Sequence, residues 1–380
     1  MKPLRTYITM KNFASNLVQP FISFVAASTG ILGEQLGLIS SAGTALPDIV
    51  QFFLSYLKIS GKKFTVFGTL LAGIGWIILS FSPFNNLFTI LYIVIEIVIG
   101  VSSYGWYLIM ESVSTSARGR TLAQYSFYST LGGLGATLIT GFIIGDDTFL
   151  VRYFFFLCGV LYIFDAWIGT KFDVDYQRTE KISFSFGKQV KSFMLVSFVF
   201  YIVWSLAWPV FPLAQVDVFR MNFLQVAIIN VIGGSSTLLL QNRIGAIVDK
   251  NRKMMMFLGR LGLAAFPLAY GLSPSVYGIY GAELVAGVTN SIGSTAYLAY
   301  LYDSSRNTRT VLGLYNAIIG VSVLIGSTIG AFLSSAFIDW LGIDTGIRDL
   351  LISIGAMRIA ASTLYLYLPE PKPYKTRVSA

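Results

Sequence analysis

Long apolar runs, each closed by a short break rich in polar residues, glycine or proline, fill nearly the whole chain. Along the 380 residues they fall at 13–33, 35–57, 64–82, 87–110, 121–144, 149–170, 191–215, 221–245, 254–272, 276–300, 311–336 and 347–368. Runs of ~20 residues match the length of helix that crosses the hydrocarbon of a bilayer. A helix also satisfies its own backbone polar groups where no water is present. The pattern predicts an all-α membrane protein with twelve transmembrane helices.

The breaks carry the orientation signal. A long series of basic residues, opening with Lys2, Arg5, Lys11, Lys58, Lys62 and Lys63 and ending with Lys372, Lys375 and Arg377, falls on one side of the predicted spans. The other side holds Arg152, Arg220 and Arg348. Positive residues collect on the cytoplasmic side of membrane proteins, so both termini are expected in the cytoplasm of a plasma-membrane protein. The net charge of +9 then reads as topology and as a match to an anionic inner leaflet. It calls for no nucleic-acid partner.

The chain also repeats itself. Gln19, Pro20 and Phe21 return as Trp208, Pro209 and Val210, a shift of 189 (209 − 20), and Gly43 returns as Gly233. The run from Glu96 returns from Glu283, the run from Gly119 returns from Thr308, and Gly141 returns as Gly330. Two pseudo-symmetric six-helix halves are expected, 1–170 and 191–368. A linker at 171–190 joins them, part of it able to lie on the membrane as an amphipathic helix, and 369–380 forms a disordered cytoplasmic tail. Parallel repeats in a membrane protein place a substrate path between them, which points to a transporter.

Composition removes other classes. Only 12% of residues are charged and 55% are hydrophobic, about half the charge of a soluble domain. There is no histidine and a single cysteine, Cys158. An internal disulfide is thus impossible, and a His/Cys metal site is not expected. No phosphate-binding GxxxxGK[ST] loop occurs. No cofactor and no metal are expected. A lipid-modifying membrane enzyme would need a nucleophile–base or metal cluster that the chain does not offer.

After the eighth run stands "GAIVDKNRK", with Gly245, Asp249, Lys250, Arg252 and Lys253. This resembles the G-x-L-A-D-R-x-G-R-R loop of the major facilitator superfamily. Arg252 stands where the family has its second glycine. The matching loop of the first half keeps Gly61, Lys62 and Lys63 but has Lys58 in place of the acid. The resemblance extends to the twelve spans, the repeat and the central linker. It implies that the loop acts as a cytoplasmic gate, with Asp249 facing Arg120 at the start of the fifth span, and that spans 1, 4, 7 and 10 line a central cavity. The alternative is a basic loop that only sets topology. The spacing Gly132, Gly141, Gly145 in the fifth span resembles part of the glycine pattern of drug/proton antiporters, and close helix packing is the favoured explanation.

Ionisable residues at membrane depth usually face a cavity or a partner. Glu96 and Glu283 occupy equivalent places on spans 4 and 10. With no histidine, proton coupling must use carboxylates, so both are proton-coupling candidates, and helix packing is their alternative role. Asp48, after Pro47, is a third candidate or pairs with a basic group. Arg358 is expected to pair with a buried acid, while Asp165 and Arg260 lie near span ends and can snorkel. The cavity candidates are Asn16, Gln19, Ser103, Tyr107, Tyr201, Trp204, Trp208, Asn290, Ser294 and Tyr297. Their aromatic and amide character suits a partly apolar organic solute, and the tryptophans equally suit packing.

These readings converge on a secondary active transporter working by alternating access. Proton-coupled export of a small organic or lipophilic compound by a monomer is expected. Uptake of a sugar, carboxylate or peptide is the alternative, and a non-transporting membrane sensor a further one. No cavity-facing Lys or Arg is expected on spans 1, 4, 7 and 10, which disfavours an anionic substrate.

Overall fold

A computed structural model describes residues 2–57, 59–113, 118–176, 187–248, 252–304 and 308–369. Side chains at 2, 111, 118–128, 131, 242, 245, 246, 248, 294, 298, 299, 302, 303 and 308–310 lie outside the described residues. The described chain is a helical bundle. In order it runs α1 (Lys2–Asn16), α2 (Ile22–Ser28), α3 (Gly33–Leu54), α4 (Gly61–Phe81), α5 (Asn86–Val113), α6 (Arg118–Ile144), α7 (Val151–Thr170) and α8 (Lys188–Ser205). It continues with α9 (Val210–Leu213), α10 (Phe223–Val248), α11 (Arg252–Gly262), α12 (Ala265–Leu272), α13 (Val276–Glu283), α14 (Ala286–Ser304), α15 (Thr308–Leu341) and α16 (Ile343–Ser362).

Among the described residues, nine helical stretches are long and apolar enough to cross a membrane. They match nine of the predicted runs to within a few residues. The first stretch, α6, and the α13–α14 pair complete the bundle, but they are broken or more polar. Within α6 the apolar part, Gly132–Ile144, is shorter. The largest departure is at the start, where the helix begins at Lys2 rather than near 13. The basic leader is thereby folded into the bundle, and Lys11 is buried instead of marking topology in solvent.

Proline decides where helices break. Pro20 has no N–H for the carbonyl of Asn16, and a 3-10 turn at Gln19–Phe21 separates α1 from α2. Thr137 donates to the freed Asn16 carbonyl at 3.3 Å. Pro209 follows the break after α8, and a π-turn at Ala214–Val218 ends that stretch. Pro267 releases the carbonyl of Leu263 between α11 and α12.

Arg358 resolves two of these breaks. It is 1% exposed on α16, and it donates from Nη1 to the Leu263 carbonyl at 2.7 Å. From Nη2 it donates to the Trp204 carbonyl. The expected acid partner is absent among the described residues, where Asp344–Arg348 forms an ion pair. A guanidinium carries five N–H donors in a fixed fork, so kinked backbone takes the place of a carboxylate.

Two arginines tie down the end of the bundle away from the N-terminus, the far face. Arg152 donates to the carbonyls of Ser80 and Ser82 (3.1 and 2.7 Å) at the end of α4. Arg348 donates to those of Gly271 and Ser273 (3.5 and 2.8 Å) at the end of α12. Helix C-terminal carbonyls have no intrahelical partner, so both arginines act as caps.

Glycine sets how closely helices approach. A Cβ on Gly73 would lie 2.8 Å from the carbonyl of Gly159, so α4 and α7 touch backbone to backbone there. Gly141 packs on Ala227 and the Phe223 carbonyl, joining α6 to α10. Gly145, at φ +54, accepts from the Phe223 N–H at 3.0 Å. The glycine spacing of the fifth span is therefore spent on packing.

Replacing Arg358 by Met is expected to strip the partner from two buried carbonyls, at a cost on the order of 1.5–3 kcal/mol per bond. Thermal denaturation of the detergent-purified protein should show a drop of several degrees. An unchanged melting temperature would mean that the kinks hold without the arginine.

Candidate functional site

Glu96 is fully buried on α5, at 0% exposure. The amide of Gln19, from the turn after α1, donates to its Oε1. The Tyr92 hydroxyl, one turn earlier on α5, donates to Gln19 Oε1 at 3.0 Å. Pro20 breaks the helix beside Gln19, which brings the amide across to α5. Glu96 Oε2 is buried and has no hydrogen-bond partner among the described residues.

Gly43 of α3 stands beside this trio and is itself exposed. A Cβ there would lie 3.2 Å from the Tyr92 hydroxyl, 3.3 Å from Gln19 Oε1 and 3.9 Å from Glu96 Cδ. A side chain at 43 would crowd the trio. Glu283 has the same neighbour type: a Cβ on Gly233 of α10 would lie 3.0 Å from Glu283 Oε2. It sits where α13 breaks from α14 and is half-buried, and no described side chain hydrogen-bonds to it. Asp48 is half-buried on α3 and lies within electrostatic range of Tyr107. The structure thus sets three acids on three helices and does not cluster them.

Of the cavity candidates, Gln19 joins Glu96. Asn16 turns back to the Asn12 carbonyl at 2.9 Å and packs against Gly133. Ser103 is half-buried, while Tyr107 is 58% exposed. Trp204 and Trp208 are half-buried and form an edge-to-face pair with centroids 4.7 Å apart. Asn290 is exposed and reaches Thr237 Oγ1 at 3.3 Å. Tyr297 does not line open space: it is 2% exposed, and its hydroxyl donates to the Met256 carbonyl at 2.6 Å. The side chain of Ser294 lies outside the described residues.

Of the gate, Asp249 and Lys250 lie outside the described residues, as does the side chain of Arg120, while Gly245 falls in the last turns of α10. Arg252 and Lys253 are half-buried at the start of α11. The loop before α4, which has Lys58 where the family has an acid, meets Asp175. Asp175 accepts from the Lys62 N–H at 2.9 Å at the N-terminus of α4, where a helix dipole favours an anion. The Lys62 ammonium holds the Phe172 carbonyl at 2.8 Å, and the Gly61 N–H holds that of Tyr176 at 2.8 Å.

Two buried charges were expected to snorkel and do not. Arg260 is 5% exposed and is boxed by the rings of Phe200, Tyr201, Tyr297 and Tyr365, 4.0–5.6 Å away. It donates to the Tyr201 hydroxyl at 2.9 Å. Rings accept a cation best where water is excluded, which suits a side chain walled in by three helices. Asp165, at 0% exposure, is sealed between α7 and α1.

A cavity of about 510 Å³ opens on the far face, lined in part by Phe219, Tyr277, Tyr280 and Arg348. It contains none of the acids. Among the described residues no group of three His, Cys, Asp or Glu side chains could hold a metal ion.

Comparison with known proteins places this architecture. The family model of the Major Facilitator Superfamily matches residues 8–318 and again 193–380. The nucleoside transporter NupG, in a point-mutant form, superposes with a TM-score of 0.75 at 8% identity, covering 97% of this chain and 100% of that one. Tetrameric PepTSo2 gives 0.76 at 12% identity, with 96% of each chain covered. A bacterial homolog of the human lysosomal transporter Spinster, inward-facing and occupied, gives 0.70 at 13%, covering 96% and 95%. No curated protein matches the chain by sequence search. The chain belongs to the Major Facilitator Superfamily, a family of transporters, and is a multi-pass membrane protein.

Gly43→Val should push a branched side chain into the Tyr92–Gln19–Glu96 contact and cover the carboxyl. Labelling of Glu96 by a hydrophobic carbodiimide, followed by mass spectrometry, should fall severalfold against Glu283 in the same sample. Equal labelling would show that Glu96 is reached by another route.

Proposed function

We propose that this protein is a proton-coupled secondary transporter working by alternating access, with export of a small organic or lipophilic compound as its transport direction. The observation that carries the reading is Glu96: a carboxyl buried in the bundle, held through one oxygen by Gln19, with the other oxygen unpartnered among the described residues. Such a group can exchange a proton without losing its place. Family membership supports a small-molecule substrate.

In this proposal twelve spans form two pseudo-symmetric halves, 1–170 and 191–368, joined by the linker 171–190. The stretch 2–28, helix α6 and the α13–α14 pair complete the twelve. The matched neighbours Gly43 and Gly233 of the two glutamates support the repeat. The face holding the N-terminus is cytoplasmic in a plasma-membrane monomer, in line with its basic residues.

The described contacts between the halves lie at mid-depth and toward the far face. Phe223 meets Phe21 and Phe24 at 5.5 and 5.1 Å, and Ser327 donates to the Gly37 carbonyl at 2.6 Å. We read this as the state closed on the outside. The Asp249 loop then makes the opposite closure.

Uptake of a carboxylate or peptide is the second reading. Arg260, a buried cation paired with no acid among the described residues, touches Tyr201 on a span expected to line the cavity and favours it.

In proteoliposomes, Glu96→Gln and Glu283→Gln are expected to keep substrate binding and lose accumulation driven by a pH gradient. Full response of both variants would pass the role to Asp48, and full response of Asp48→Asn as well would end the proton-coupled reading. Asp249→Ala is expected to insert normally but to close poorly on the inside. Cysteines placed along the cytoplasmic half of α10 should label faster in that variant, and unchanged labelling would reduce the loop to a topology signal.

A further inference from the structure

The helix α1 and the turn after it present Tyr7, Lys11, Ser15 and Gln19 at steps of four, one polar stripe turned into the bundle. Gln19 serves Glu96. The other three belong to a second, separate polar cluster that the proposed function does not use. The Tyr7 hydroxyl bridges Thr69 Oγ1 at 2.7 Å and Ser102 Oγ at 3.2 Å, and those two hydroxyls lie 2.8 Å apart. Ser15 lies beside Tyr162 of α7. The ammonium of Lys11 donates to Ser102 Oγ at 2.9 Å. Opposite it on α7 stands Asp165, within electrostatic range of Lys11, with both oxygens buried and neither hydrogen-bonded among the described residues.

We propose that Asp165 is a proton-binding site, and that its proton decides whether Lys11 bonds Ser102 or Asp165. A buried carboxylate with no partner is costly, and breaking a buried pair more so. The cluster has two low-energy arrangements that differ by one proton. In the first, the acid holds the proton and the ammonium rests on Ser102, as seen here. In the second, the proton has left Asp165 for solvent on the N-terminal side, and the ammonium moves onto the carboxylate.

The groups facing the pair are Tyr7 on α1, Thr69 on α4 and Ser102 on α5, with Tyr162 of α7 next to Tyr7. Glu96 and Tyr92 lie further along α5. Among the described residues Lys11 is the cation of the cluster, and Asp165 the acid beside it. The partner change acts between α1 and α5, the same two elements that hold Gln19 against Glu96. That link to Glu96 rests on the proposed function, while the Asp165 site does not.

Infrared difference spectroscopy of the protein in nanodiscs, between pairs of pH values, reads protonated carboxyls directly and needs no substrate. One carbonyl band should vanish in Asp165→Asn and persist in Glu96→Gln. In Lys11→Met, which removes the cation that favours the carboxylate, the Asp165 band should survive to a proton concentration at least tenfold lower. In Ser102→Ala, which removes the resting place of the ammonium, it should disappear at a higher proton concentration. A Glu96 band alone, with Asp165→Asn silent, would overturn this site and leave the proposed function standing. An Asp165 band whose midpoint ignores both Lys11→Met and Ser102→Ala would overturn the partner change. A missing Glu96 band beside a shifting Asp165 band would instead remove proton coupling at Glu96 and keep this site.

Discussion

Burial cuts a polar group off from bulk water, so a buried charge must be answered by protein. That constraint explains the arginines. Arg358 answers its charge with two carbonyls that helix breaks have released, Leu263 and Trp204. Arg260 answers its own with four aromatic rings and a tyrosine hydroxyl. The half-buried Arg152 and Arg348 cap the orphan carbonyls at the ends of α4 and α12, and Arg348 also pairs with Asp344. The three basic residues that stood against the orientation rule thus include two helix caps, a structural reason for their place on the far face.

The same constraint gives the acids their interest. A carboxyl in this setting cannot be left ionised and alone, so each buried acid is tied to a proton or to a cation. Glu96 has an amide on one oxygen and, among the described residues, nothing on the other. Asp165 has Lys11 nearby and no hydrogen bond within the same set. At both places adding or removing a proton changes which bonds are possible. Helix breaks at Pro20 and after Glu283 place both glutamates beside irregular backbone, where small shifts cost little.

Much of the architecture was legible in the chain. Apolar run length depends on bilayer thickness alone, and nine predicted runs returned as apolar helical stretches within a few residues. Gly43 and Gly233, which the sequence sets at matching places, each lie against a glutamate in the structure. The membership of the family was carried by one loop after the eighth run and by the order of the spans.

The sequence by itself determined nine apolar helical stretches and where proline interrupts helices, because these follow from local hydropathy and backbone chemistry. Partners were decided only by the tertiary structure. Nothing in the run of residues says that Arg358 meets two carbonyls, that Asp175 meets the loop before α4, or that Tyr297 walls in Arg260 rather than facing a cavity. The start of α1 hid Lys11 for a similar reason: a basic, polar leader looks solvated until neighbouring helices cover it. Hydrogen bonds and ring contacts between residues tens to hundreds of positions apart depend on how helices pack, and that packing is set by all of them together.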